Sequence, residues 1–245
     1  MKVDILASGS GGNVIAVRSS GNTILVDVGI AKTKIEQRLL EVGIKPNEID
    51  AILITHAHSD HVKGLPLANK YHIPVFASEG EWKSIKGVNE ELRHIIDGNL
   101  LVSGFDVTTF NVHHDAFEPI GYAIVDKVGD KVSVCLDTGK VDSEMIEAMK
   151  YSEFFIIESN HDPVMLEHSN YPNATKARIL SDIGHLSNAQ TAEALTKLVK
   201  GVGEKIYLTH LSSTNNMSEL AKLTTIRALA KKGNKVNEDY EIEVF

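Results

Sequence analysis

The run His56-Ala57-His58-Ser59-Asp60-His61 sets three imidazoles and one carboxylate within six consecutive positions. In an extended chain His56 and His58 point to the same side, while Asp60 and His61, in a following turn or first helical turn, face a neighbouring point. One short loop can therefore feed two nearby cation sites. Imidazole nitrogen and carboxylate oxygen suit zinc, and also manganese or iron. The plainer alternative, a histidine-bearing polar surface loop, sits poorly with the apolar stretch 49–54 directly before it, which reads as a buried strand delivering the loop.

The elements that would position such a loop are short strands and helices in alternation. Strands are expected over 3–6, 14–17 and 23–26, separated by Gly9-Ser10-Gly11-Gly12-Asn13 and Ser20-Gly21-Asn22, with a helix over 32–42 that carries Ile35, Leu39 and Val42 and stops at Gly43. Further strands are expected over 75–77, 105–110, 122–125, 132–136, 154–158 and 205–209. Helices are expected over 143–150, over 188–199 with Ala192, Leu195 and Val199 on the apolar side, and over 218–231 with Leu220, Leu223, Ile226 and Leu229 recurring at threes. Strands mixed with helices throughout argue for layered α/β packing. No linker, repeat or low-complexity tract interrupts the chain, so residues 1–245 read as a single globular unit.

Composition narrows the class. A chain of 245 residues with 42% hydrophobic side chains can fill a sizeable core, which excludes intrinsic disorder. The single cysteine, Cys135, excludes an internal disulfide framework and points to a reducing, cytoplasmic setting. Neither a signal peptide nor a membrane span is legible. The 25 Lys and Arg against 33 Asp and Glu, a net charge of -8, do not suggest a protein that coats nucleic acid by bulk charge, although a local metal centre reverses the field where a phosphate would sit. The turn Ser8-Gly9-Ser10-Gly11-Gly12-Asn13 lacks the lysine and hydroxyl of a nucleotide loop and the spacing of a dinucleotide fingerprint. A close turn beside the metal rim is the better use of its small residues.

Together with the histidine run, Ser8 to Asn13, Asp27-Val28-Gly29, His113-His114-Asp115-Ala116, Leu136-Asp137-Thr138-Gly139 and Leu208-Thr209-His210-Leu211-Ser212 resemble the metallo-β-lactamase superfamily of metallohydrolases, across nearly the whole chain. Taken alone, Asp137 also reads as a helix N-cap or turn acid, and His210 as a satisfied histidine at a strand end. The resemblance implies an α/β (α+β) fold, a four-layer αββα sandwich with two mixed sheets packed between helices. It also implies two divalent metal ions, zinc or manganese with iron as a further choice. His56, His58 and His114 would hold one ion, Asp60, His61 and His210 the other, and Asp137 would touch both. A hydroxide between the ions would be the nucleophile, its pKa lowered by their charge. His114 is preferred to His113 because the family ligand stands directly before Asp-Ala, with a segment like Pro119-Ile120-Gly121-Tyr122 downstream.

Glu158-Ser159-Asn160-His161-Asp162 and Gly184-His185-Leu186-Ser187-Asn188 refine this to the bacterial YycJ (also WalJ) family, which is related to tRNase Z. By that resemblance Glu158 orients His185, and His185 stabilises the transferring phosphate or protonates the leaving oxygen, so Asp60, Glu158 and His185 are the catalytic candidates. Read without it, Glu158 and His185 are an ordinary strand-end glutamate and helix-start histidine. His161, Asn160, Ser187 and Asn188 are open to substrate contact, to support of a ligand or to plain turn capping.

The implied activity is metal-dependent phosphodiester hydrolysis, with DNA as substrate and 5' to 3' exonucleolytic polarity. Lys32, Lys34, Lys140, Lys176 and Arg178 are candidate phosphate-steering charges, with scattered solubilising charge as the bland reading. Alternatives are a small-molecule phosphodiesterase or other ester hydrolase, and a metal-stabilised nucleic-acid-binding protein without turnover. A β-lactamase fits less well, because its usual second-site cysteine has no counterpart. No membrane partner is expected, and a homodimer is compatible with the chain.

Overall fold

A computed structural model describes the whole chain, residues 1–245. Its first sheet holds six strands in chain order: β1 (Lys2–Ala7), β2 (Val14–Ser19), β3 (Asn22–Val26), β4 (Ala51–Leu53), β5 (Val75–Ala77) and β6 (Arg93–Ile95). The first three run antiparallel and the steps from β3 to β6 are parallel. β4 lies between two parallel neighbours with every residue buried, which is why 51–54 reads as a continuous apolar run instead of an alternation. Helices fill the connections: α1 (Lys32–Glu41) leads into β4, α2 (Ser59–Val62) and α3 (Pro66–Tyr71) into β5, and α4 (Glu79–Trp82) into β6. Ile35 and Leu39 of α1 share a core with Val14, Leu25, Ile52 and Val75.

The second sheet has seven strands, again in chain order: β7 (Asn99–Val102), β8 (Phe105–Asn111), β9 (Ile120–Val125), β10 (Lys131–Cys135), β11 (Phe154–Glu158), β12 (Glu204–Thr209) and β13 (Tyr240–Val244). β7 and β8 form an antiparallel pair, whereas β10 to β13 are parallel in consecutive register. Parallel neighbours need crossovers, and these carry α5 (Ser143–Met149), then α6 (Pro163–His168), α7 (Asn173–Ile179) and α8 (Asn188–Leu198), and last α9 (Ser218–Ala230). Met145 and Met149 of α5, Leu195 and Leu198 of α8 and Ala221 and Leu229 of α9 pack with Phe155, Ile157, Ile206 and Leu208. Two mixed sheets packed against helices are the α/β architecture expected.

By density of internal contacts the chain divides into two units. One comprises 1–109, 116–120 and 124–130, and the other 110–115, 121–123 and 131–245. α9 departs from its sequence pattern: it buries Ala221, Thr225 and Leu229, four residues apart, and leaves Leu223 47% exposed. A spacing of three drifts backward around a helix of 3.6 residues per turn and one of four drifts forward, so small residues at the fours seat the helix closely. β6, β7 and β13 and the short helices α3, α4, α6 and α7 carry no expectation from sequence. β6 is exposed throughout, and only β13 shows a legible alternation, in Tyr240, Ile242 and Val244.

Candidate metal centre

In the first unit the loop after β4 carries His56 and His58, and its continuation into α2 supplies Asp60 and His61. Asp27, fully buried at the end of β3, organises them. Its Oδ2 accepts His61 Nδ1–H at 2.7 Å and the Thr55 hydroxyl at 2.8 Å, and its Oδ1 accepts the Thr55 amide at 2.9 Å. With its one proton committed to Asp27, Thr55 Oγ1 accepts from His56 Nδ1 at 3.1 Å. Both imidazoles therefore carry their proton on Nδ1, which makes Nε2 the atom that could coordinate a metal. His56 Nε2 and His58 Nδ1 lie 3.0 Å apart, close enough for both to reach one small cation.

The glycine turn and the Asp27 loop are stitched to this run by backbone bonds: Asn13 N–H to Asp60 O, Val28 N–H to His61 O and Gly29 N–H to Asn13 O, each at 2.8 Å. A Cβ on Gly29 would fall 1.6 Å from Asp60 O, so only glycine permits that approach. Asp27 itself holds φ +58, a left-handed conformation that a non-glycine residue adopts at a cost.

In the second unit the functional side chains stand just past the C-terminal ends of three adjacent parallel strands, the place where open α/β sheets present ligand sites. Asp137 follows β10, Glu158 ends β11 and His210 follows β12. Asp137 and His210 both hold left-handed backbone, φ +44 and +55. His185 arrives from the segment before α8. One donor atom each of Asp137, Glu158, His185 and His210 lies within 4.8 Å of the others.

Glu158, fully buried, links them. Its Oε1 accepts the Thr138 amide at 2.5 Å and the Leu186 amide at 3.3 Å, and its Oε2 lies 3.0 Å from His185 Nδ1 and 3.4 Å from His210 Nδ1. Burial disfavours the ions, but mutual attraction and the shared hydrogen bond prevail, so Glu158 is held below its ordinary pKa and His185 above. Each partner thus favours the charged form of the other. His210 Nδ1 also reaches Asp137 Oδ1 at 3.0 Å.

Of the adjacent histidines, His114 belongs to the rim. Its Nδ1 donates to Gly184 O at 3.2 Å, and its Nε2 lies 3.6 Å from Asp137 Oδ2. Burial pushes its pKa down, which favours the neutral form that has a lone pair to give. His113 turns away and bonds Asp142 Oδ2 at 2.7 Å, while Asp142 caps α5. Asp137 is therefore not a helix cap.

Ser187 caps α8 in a reciprocal box with Gln190, and His185 lies two residues before that cap. Asn188 is buried in a network with Ser159 and Asn216. Asn160 Nδ2 donates to His210 O at 3.0 Å and so braces the turn that presents His210. His161 is buried, its backbone bridges Ser187, neither ring nitrogen has a hydrogen-bond partner, and burial holds its pKa down at about 4. Cys135 is buried in β10, belongs to no donor group, and its thiol is pushed up by burial. Three of the steering candidates are tied locally: Lys140 to Asp182, Arg178 to Asp115 and Lys176 to Glu167 O.

Sequence reasoning passed over Asp27 as a ligand-orienting residue, and it missed Thr55 and Glu81. The available signal for Asp27 was a carboxylate at the end of a buried strand inside a motif already noticed.

The His, Asp and Glu clusters suit one or two divalent metal ions, with buried imidazoles whose tautomers are set by carboxylate, hydroxyl or carbonyl partners. Residues 22–211 match the family described as a beta-lactamase superfamily domain, and the chain belongs to that superfamily as a metal-dependent hydrolase. Within it the chain belongs to the YycJ/WalJ family. It is 38% identical to "Exodeoxyribonuclease YycJ" of Bacillus anthracis over 97% of this chain and 92% of the relative, and 39% identical to "Exodeoxyribonuclease WalJ" of Streptococcus pneumoniae over 98% and 93%. Among solved structures, the metallo-beta-lactamase fold protein YhfI from Bacillus subtilis matches with TM-score 0.73 at 15% identity, covering 98% of this chain and 95% of that one. The short form of human tRNase Z matches with TM-score 0.63 at 18% identity, covering 87% and 93%. Likenesses at that identity speak for the fold alone.

Proposed function

We propose that this protein is a two-metal phosphodiesterase that removes nucleotides from DNA in the 5' to 3' direction, with residues 1–245 acting as one metallo-β-lactamase-like domain. The observation that carries the chemistry is the buried Glu158–His185 hydrogen bond beside Asp137 and His210. The 38% and 39% identity to two exodeoxyribonucleases over nearly the full length of the chain supports the substrate.

In this reading His56, His58 and His114 hold one ion, Asp60, His61 and His210 the other, and Asp137 serves both. Zinc and manganese both suit the donors. When bound, two such ions supply an activated water and positive charge for the non-bridging phosphate oxygens. Asp27, Thr55 and Gly184 fix the tautomers of His61, His56 and His114. His185, charged through Glu158, donates a proton to the leaving oxygen or a charged hydrogen bond to the phosphate, at the atom its partnered Nδ1 leaves open, Nε2. Asn160 and Ser187 hold the segments that carry His210 and His185, and His161, buried with its backbone bridged to Ser187, is a candidate for substrate contact or ligand support.

No helix is long and apolar enough to cross a membrane. We place the protein in the cytoplasm on its single buried thiol. One chain supplies every donor named, so a homodimer would extend the surface that receives the strand without completing the site.

The test is product analysis of 5'- and 3'-labelled single- and double-stranded DNA and RNA, using enzyme loaded separately with zinc and manganese and an Asp60→Ala/His61→Ala double variant as control. Stepwise release from DNA 5' ends that disappears in the double variant is expected. Intact DNA with hydrolysis of a small phosphodiester would replace this reading.

A further inference from the structure

Glu81 stands in the first turn of α4 and is 1% exposed. Its carboxylate is spent on two backbone donors: Oε2 accepts the amide of Ala57, the residue between His56 and His58, and Oε1 accepts the amide of Glu118, both at 2.7 Å. The clasp is reciprocal. The Glu118 carboxylate accepts the Gly80 amide at 2.6 Å, and the Ser78 hydroxyl donates to Glu118 O at 2.8 Å. A Cβ on Gly80 would lie 2.5 Å from Glu118 Cβ, so the two segments are pressed together. Two residues further, Ile120 N–H bonds Thr55 O at 3.0 Å. The histidine loop is thus held from one side by Asp27 through Thr55 and from the other by Glu81 through Ala57.

We infer that Glu81 is a positioning residue for the metal centre: by fixing the Ala57 amide it holds His56 Nε2 and His58 Nδ1 at the spacing of one ion. The inference rests on the reading that these histidines bind metal, and not on the identity of the substrate. A buried carboxylate with each oxygen on a separate N–H cannot be replaced by its amide without turning one acceptor into a donor that faces a donor. Glu81→Gln keeps the shape and breaks one of the two contacts.

The experiment is a zinc titration of apo protein against a competing chelator, for wild type, Glu81→Gln and Asp142→Ala, with melting of each apo form and activity across metal concentration. Asp142→Ala removes a helix cap far from the histidine loop in sequence and serves as the variant that lowers stability alone. The expected result is that one of two binding steps weakens about 10- to 100-fold in Glu81→Gln, the usual effect of removing support from a ligand. Activity lost at limiting metal should return at excess metal, while Asp142→Ala melts lower and binds zinc as wild type does. Wild-type zinc affinity in a folded Glu81→Gln protein overturns the inference. Amide hydrogen exchange of wild type keeps the test decisive where that variant fails to fold: Ala57 N–H should be protected without metal, and fast exchange there overturns the positioning role. Metal binding by wild type without cleavage of DNA overturns the substrate reading and leaves the Glu81 result standing; no metal binding by wild type overturns both.

Discussion

Glu158 and His185 form one unit, with Oε2 3.0 Å from Nδ1 inside a carboxylate that is fully buried and takes the backbone amides of Thr138 and Leu186 on its other oxygen. The amide after Asp137 and the amide after His185 therefore converge on a single oxygen. Glu158 fixes where Asp137 and His185 stand and favours the charged form of His185. Its replacement by glutamine offers one acceptor oxygen for those donors, so Glu158→Gln is expected to lower kcat by about 100-fold or more, the scale of losing a positioned acid, with metal content largely kept. Steady-state kinetics beside metal analysis checks this, and an active Glu158→Gln enzyme removes the proposed role.

His185→Ala should show the same loss of turnover with intact metal stoichiometry. The sign of its pH dependence follows from the pair. The folded pKa of His185 is raised, so its charged form persists above the ordinary imidazole range, and the contribution is lost as pH rises through that raised value. The wild-type profile of kcat should fall on the alkaline side, and His185→Ala should lack that limb. An unchanged profile in the variant assigns the limb elsewhere.

Asp27→Asn changes the partner of His61 Nδ1 from a pure acceptor to a group with one acceptor and one donor. Metal affinity should weaken about 10- to 100-fold, read by titration of apo protein, because the tautomer and orientation of His61 are no longer imposed. Equal affinity in the variant would show that the loop backbone alone suffices.

Asp137 joins a carboxylate proposed as a metal ligand to a left-handed backbone, φ +44. Asp137→Gly and Asp137→Ala should both lose metal, but the apo glycine variant should be more stable by about 1 kcal/mol, since glycine relieves the strained conformation. Denaturant melts of the two apo proteins compare them directly, and equal stability counts against strain at this position.

Asp142 caps α5 through the Met145 amide and bonds His113, and those hydrogen bonds hold its pKa below the ordinary carboxylate value. Asp142→Ala should cost about 1 kcal/mol near neutral pH, the usual effect of losing such a cap. A depressed carboxylate stabilises above its unfolded pKa and loses that contribution as pH falls through the folded value, so wild type and variant should converge in acid. A gap that persists in acid contradicts the assignment.

The histidine run announced itself because ligands packed into one short loop need only local spacing, and the apolar strand before it is equally local. β11 was legible to the residue for the same reason, and layered α/β packing followed from alternating elements, whereas the two mixed sheets were implied by the family resemblance. His114 is preferred to His113 by the family resemblance alone, since spacing does not separate two adjacent histidines. Only the fold sends one to Gly184 O and the other to Asp142. Likewise Asp137 and His210 each had an innocent reading as turn residues until parallel β10, β11 and β12 set their C-terminal ends side by side. Asp27, Thr55 and Glu81 lay furthest from the sequence, because a supporting residue is defined by the atom it touches. Local chemistry fixed which residues can bind a metal, and long-range packing decided which nitrogen each presents and which carboxylate holds it there.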